Sequence, residues 1–266
     1  MIPYQHVPLP SAVLNVASPD TNGGPMILLI HGLGSTADMW QLQMPVLEQN
    51  GFRPVAMDIP GFGQSHFLKK GWSIRRAAGT LVEYLDMKQV DRADIVGISM
   101  GGTVALTLAL DYPERVRRLV LVNTFARLRP DTAGGWFYFL KRAVMISTMG
   151  MEAQARFVSQ RIFPGPDQAE LREELFKQVM QADPAAYRGT MKALGLFDVH
   201  QRLREIQART LVVTGANDTT VRPANQAELA LKIPNARQVM IPRAGHAVVI
   251  DQAEVFNQEL VDFLKS

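Results

Sequence analysis

Short runs of apolar residues recur along this chain, each followed by a turn of small or polar residues and then by a stretch whose apolar positions return every three or four residues. The runs are Met26 to Ile30, Pro54 to Met57, Asp94 to Ile98, Leu119 to Val122, Leu211 to Thr214 and Gln238 to Ile241. Their length and β-branched content read as buried strands, and the intervals between them as helices. Strands alternating with helices predict an α/β fold with a mostly parallel central sheet flanked by helices, because each parallel pair needs a crossover. A hairpin is expected over residues 4–17, turning near Pro8 to Pro10. The interval from Asn123 to Thr210 is too long for one crossover and contains several amphipathic pieces. Residues 124–200 are therefore expected to form a helical cap inserted into a unit made of residues 1–123 and 201–266.

One of these handovers from strand to helix carries chemistry. Gly97-Ile98-Ser99-Met100-Gly101 places a serine between two glycines, with a helix predicted from Met100 until Tyr112-Pro113 stops it. A sharp strand-turn-helix of this kind strains the backbone at the serine and exposes its hydroxyl. Small residues are required two positions either side, where side chains would collide with the neighbouring strand and helix. Ser99 is the candidate nucleophile.

Four segments in this order resemble the α/β-hydrolase superfamily, in particular its small cofactor-free serine hydrolases: carboxylesterases, enol-lactonases and carbon-carbon bond hydrolases. They are Ile30-His31-Gly32-Leu33-Gly34, Asp58-Ile59-Pro60-Gly61-Phe62-Gly63-Gln64-Ser65, the serine pentapeptide, and the pair Gly215-Ala216-Asn217-Asp218 and Ala244-Gly245-His246. Each follows a predicted strand, the end of an open α/β sheet where functional groups collect. The chain order Ser99, Asp218, His246 is the one this fold uses. A serine hydroxyl needs a base to take its proton, and of the five histidines His246 is the candidate. Asp218 is expected to orient His246 and to stabilise the imidazolium that forms. The other location that relatives use for the acid, after Leu119 to Val122, holds Asn123, which carries no charge; Asn123→Asp is expected to restore some activity to an Asp218→Asn variant. The resemblance implies an oxyanion hole built from the backbone N–H groups of Leu33 and Met100. His31 is read as shaping its loop, and Asp58 as capping the turn that runs to Ser65.

Composition narrows the picture further. The 266 residues are 47% hydrophobic, enough to bury one α/β core with room for an insertion. A net charge of +3 and a sequence pI of about 9.3 come from cations scattered among acids, without a stripe suited to phosphates. No nucleic acid partner is expected. There is no long apolar run and no secretory leader, so no membrane association is expected and the location expected is cytoplasmic. The chain has no cysteine. It shows neither a dinucleotide fingerprint nor a metal-ligand cluster, so no cofactor and no metal are expected.

The partner expected is a small-molecule ester or lactone, cleaved through an acyl-serine intermediate, and a homodimer is left open as the assembly. Two alternatives remain: a carbon-carbon bond hydrolase of aromatic degradation, and a slow-turnover, receptor-like binding protein. Against the former, the tryptophan such enzymes carry after the histidine is replaced by Ala247. The cap segment holds Trp136, Phe139, Met145, Phe157 and Phe163. Trp136, Phe139 and Met145 are the residues expected to line an acyl pocket, while Arg127 and Arg129 are expected on a solvated face.

Overall fold

The computed structural model describes residues 3–19, 23–69, 71–128 and 150–266. The strands are β1 (Tyr4–Pro8), β2 (Ala12–Ala17), β3 (Met26–Ile30), β4 (Arg53–Met57), β5 (His66–Phe67), β6 (Ala93–Ile98), β7 (Val116–Val122), β8 (Arg209–Gly215) and β9 (Ala236–Ile241). They form one sheet in the order β1-β2-β4-β3-β6-β7-β8-β9, with β5 paired to β2. From β4 to β9 every neighbouring pair is parallel, whereas β1, β2 and β5 add antiparallel pairs at one side. The fold is the mostly parallel α/β sheet expected from the sequence.

The apolar runs are continuous because both faces of the sheet are covered. In β3 all five residues are buried: Met26, Leu28 and Ile30 enter one core, and Ile27 and Leu29 the other. The first core is completed by α2 (Ile74–Met87), α3 (Met100–Asp111) and α7 (Pro223–Lys232), and the second by α1 (Met44–Gln49), α8 (Val248–Asp251) and α9 (Ala253–Lys265). Helix α3 has no polar face. Every residue from Met100 to Leu110 is buried, which is why the sequence shows no periodicity there.

Between β7 and β8 lie α4 (Gly150–Ile162), α5 (Ala169–Gln181) and α6 (Pro184–Leu196), and no strand occurs among the described residues of this interval. Asp183 caps α6 by accepting from Ala186 N at 2.6 Å, with Pro184 at its first position. These helices sit over the loops that follow β3 and β4. Asp183 N donates to Gly61 O at 3.0 Å and Ser35 Oγ to Gln178 Oε1 at 2.8 Å. Tyr187, fully buried, packs on Phe62 with ring centroids 6.4 Å apart.

Candidate active site

The turn between β6 and α3 is built as its glycines foretell. Ser99 has φ 53° and ψ −113°, a left-handed conformation that a non-glycine residue adopts only where its surroundings enforce it. They do so on three sides. Ser99 N donates to Val122 O at 2.9 Å, Ser99 O accepts from Thr124 Oγ1 at 2.7 Å, and α3 begins at the next residue. A methyl group on Gly97 would lie 2.3 Å from Gly101 O, and one on Gly101 would lie 2.2 Å from Ile30 O. Gly102 is equally constrained, 2.4 Å from Thr124 Cβ. The close approach of β3, β6 and α3 thus requires bare backbone at these positions.

The loop after β8 carries Asp218 and the loop after β9 carries His246. Asp218 is buried, and both its oxygens are occupied: Oδ1 accepts from Thr220 N at 2.7 Å and Val221 N at 2.9 Å, and Oδ2 takes Gln226 Nε2 at 3.4 Å. Oδ2 also lies 2.8 Å from His246 Nδ1. A carboxylate only accepts, so it fixes the imidazole with its proton on Nδ1 and leaves Nε2 with a lone pair. Ser99 and His246 line the same cavity, and among the described residues no hydrogen bond joins them.

The histidine loop is pinned at its backbone. Asn217 N donates to Ala244 O, Gly245 N donates to Asp251 Oδ2 at 3.0 Å, and Asn123 Nδ2 donates to Gly245 O at 2.9 Å and His246 O at 2.8 Å. Burial pushes the Asp251 carboxyl above the ordinary carboxylate range, against the opposing pull of the Gly245 N–H and of His246.

His31 and Asp58 fall where the sequence reading puts them, as loop builders. Ile59 N donates to His31 Nε2 at 2.8 Å, which assigns the ring proton to Nδ1 and directs it at Gly32 O, 2.7 Å away. Burial of this imidazole holds its pKa below the usual histidine value, so it stays neutral. Asp58 accepts from Ala37 N, Asn15 Nδ2 and Gln64 N, tying three chain segments together. Gly32 borders the serine: a methyl group there would sit 3.7 Å from Ser99 Cβ. Leu33 follows it into the cavity wall.

The cavity has a volume of about 500 Å³. Its lining mixes apolar side chains, including Leu33, Leu42, Ile98 and Phe125 from the sheet unit and Val158, Ile162, Leu171 and Leu175 from α4 and α5, with polar and charged ones such as Asp38, Arg161, Glu174 and Arg222. The four apolar residues from α4 and α5 were not singled out in the sequence, although Val158 with Ile162 and Leu171 with Leu175 stand four apart, the spacing of one helix face. Phe163 does line the cavity; Trp136, Phe139 and Met145 lie outside the described residues, as does Arg129. Arg127 pairs with Glu228 at 3.7 Å.

One expectation is overturned. Asn123 does not stand as a vacant place for an acid near His246, because its amide donates to two backbone carbonyls while its Oδ1 accepts from Gly215 N at 2.8 Å. A carboxylate at this position would face the Gly245 and His246 oxygens, so no rescue of Asp218→Asn by Asn123→Asp is expected.

A parallel sheet with a strained serine after its central strand and an acid-histidine pair after later strands defines a class of enzyme fold. The chain belongs to the α/β-hydrolase family, whose fold model matches residues 25–253. Among its relatives is a protein of Variovorax paradoxus provisionally named carbamate hydrolase RutD, 34% identical over 91% of this chain and 92% of its own length. Among solved structures, it is similar to the enol-lactonase of Burkholderia xenovorans, with a TM-score of 0.90 and 28% identity over 98% of this chain and all of that one. A hydrolase of Pseudomonas aeruginosa follows it with a TM-score of 0.89 and 27% identity over 99% and 98% of the two chains. The protein is an α/β hydrolase.

Proposed function

We propose that this hydrolase cleaves small to medium carboxylic esters or lactones through an acyl-serine intermediate. The observation that carries the reading is the 2.8 Å pair of buried Asp218 and His246, whose histidine lines one cavity with Ser99. In this reading His246 Nε2 takes the proton of Ser99 Oγ as that oxygen bonds to the acyl carbon, and Asp218 holds the imidazolium. The N–H of Met100 has no acceptor within its own helix, since it opens α3. With the N–H of Leu33 it would receive the negative oxygen of the tetrahedral intermediate. Collapse of that intermediate breaks the bond to the alkoxy oxygen, which leaves with the proton from His246. Water activated by the same imidazole then releases the acid and frees Ser99.

The division into a hydrolase unit, residues 1–123 and 201–266, and a cap over 124–200 belongs to this proposal, the cap supplying the upper wall of the acyl pocket. Cavity volume favours esters over a free carbamate ion, the substrate that the relatives' name suggests. About 500 Å³ lies within the range that encloses drug-sized ligands, far more than an ion of four heavy atoms would fill. Among the described residues no helix is long and apolar enough to cross a membrane. A small molecule, not a nucleic acid or a bilayer, is the partner proposed.

The test is a panel of soluble p-nitrophenyl esters of two to ten acyl carbons, lactones, aryl carbamates and a vinylogous diketone, with products identified by mass. Across short acyl chains kcat/KM should rise up to about fourfold per methylene, the equivalent of about 0.8 kcal/mol, until the pocket is full. Turnover confined to carbamates or to the diketone would overturn the ester reading, and a single stalled acyl adduct would indicate a receptor.

A further inference from the structure

Asn123 follows β7, is fully buried, and has φ 43°, in the left-handed region that asparagine enters more readily than most residues. Both polar atoms of its side chain are engaged by two loops. Its Oδ1 accepts from Gly215 N, three residues before Asp218. Its two amide protons go to the carbonyls of Gly245 and of His246 itself. Its own N–H donates to Val213 O at 3.0 Å, fixing the residue against β8. One planar amide therefore spans the gap between the loop that bears the acid and the loop that bears the base. The close packing there leaves no slack: a methyl group on Gly215 would lie 2.2 Å from Gly245 O.

We propose that Asn123 is a positioning residue for the proton relay, setting the distance between Asp218 and His246 and hence the aim of His246 Nε2 at Ser99. This rests on the serine-hydrolase reading above. Aspartate has the same shape and could keep the bond to Gly215 N, but it has no protons for the two carbonyls. Only an amide serves both loops, which accounts for an uncharged residue at a position where an acid would be sterically admissible. A displacement of about 1 Å in a catalytic group costs on the order of 100-fold in rate. A loss of that size is expected when the clamp is removed.

Two variants separate positioning from scaffolding. Asn123→Gly removes the side chain without straining a left-handed backbone, and Asn123→Asp keeps the volume and reverses the polarity at the histidine loop. Both are compared with wild type, Ser99→Ala and Asp218→Asn, using a soluble p-nitrophenyl ester, thermal unfolding, and the far-downfield proton resonance of the His246 Nδ1–H. The expected result is a fall in kcat of about 100-fold with KM within about threefold, larger for Asn123→Asp, in folded protein whose downfield resonance is shifted or broadened. Near-normal kcat in either folded variant would overturn the proposal, and so would a fall in kcat with the resonance unchanged. If Asn123→Gly does not fold, Asn123→Asp decides; failure of both to fold would assign Asn123 a scaffold role and overturn the proposal. Activity retained by Ser99→Ala would instead refute the serine-hydrolase reading, so the two failures are distinguishable.

Discussion

Replacing Asp218 with asparagine tests the proton relay through an orientation that the structure dictates. Oδ1 of Asp218 is held by two backbone donors, Thr220 N and Val221 N, and Oδ2 faces His246 Nδ1. An asparagine amide must present its oxygen to those two N–H groups. Turned the other way, it would point its NH₂ at both donors and leave two buried N–H groups unpaired, at a cost of about 1–3 kcal/mol each. In the favoured orientation the NH₂ group meets Nδ1, which must then accept. The ring proton moves to Nε2, and the imidazole can no longer take a proton from Ser99. The lost charge also withdraws support from the imidazolium. The expected loss in kcat/KM is about 10³ to 10⁴, equivalent to about 4 to 5.5 kcal/mol of transition-state stabilisation. Initial rates on a soluble p-nitrophenyl ester, at folded concentrations matched by circular dichroism, measure it. A folded Asp218→Asn variant within about tenfold of wild type would refute the assignment of Asp218 as the orienting acid.

Two further outcomes follow from packing and burial. Gly101→Ala sets a methyl group 2.2 Å from Ile30 O and 2.7 Å from His31 O, both backbone atoms. It should lower Tm by several degrees and depress activity, consistent with overpacking worth about 1–3 kcal/mol. Gly195→Ala, which meets nothing within 4 Å, should leave Tm unchanged or raise it, and an equal effect of the two substitutions on Tm would contradict the packing argument. His31 is held neutral by burial, its folded pKa lying below the ordinary 6.5. The unfolded chain therefore binds the extra proton first, so the stability from this group is complete above about pH 6.5 and is lost as pH falls towards the folded value, by at most about 1.4 kcal/mol per pH unit. Urea midpoints between pH 5 and 8 should show this slope in wild type and a shallower one in His31→Gln; equal slopes would discard it.

Most of the architecture was legible because a sheet covered on both faces must be written as continuous apolar runs. The run at Met26 to Ile30 coincides with β3 residue for residue, and the other five predicted runs fall within one to three residues of β4, β6, β7, β8 and β9 at their starts. The two-residue strand β5 was not legible, since His66 and Phe67 pair only with Ala12 and Val13 and carry no periodicity. At the site, Ser99 was readable from its flanking glycines, whose necessity is a matter of backbone contact. The Asp218 and His246 segments were readable from family order. Asn123 was read only as the lack of an acid, because its bonds run to backbone groups more than 90 residues away. No local pattern records such partners.

The central claim is that Ser99 Oγ becomes acylated. Rapid acid quench of wild-type protein during turnover of a p-nitrophenyl ester, followed by peptide mass analysis, tests it most directly. The account predicts one acyl group per chain on the peptide containing Ser99, formed at a rate competent for turnover and absent from Ser99→Ala, which should be slower by about 10⁴ or more. An acyl group on another residue, or steady hydrolysis by folded Ser99→Ala, would contradict it.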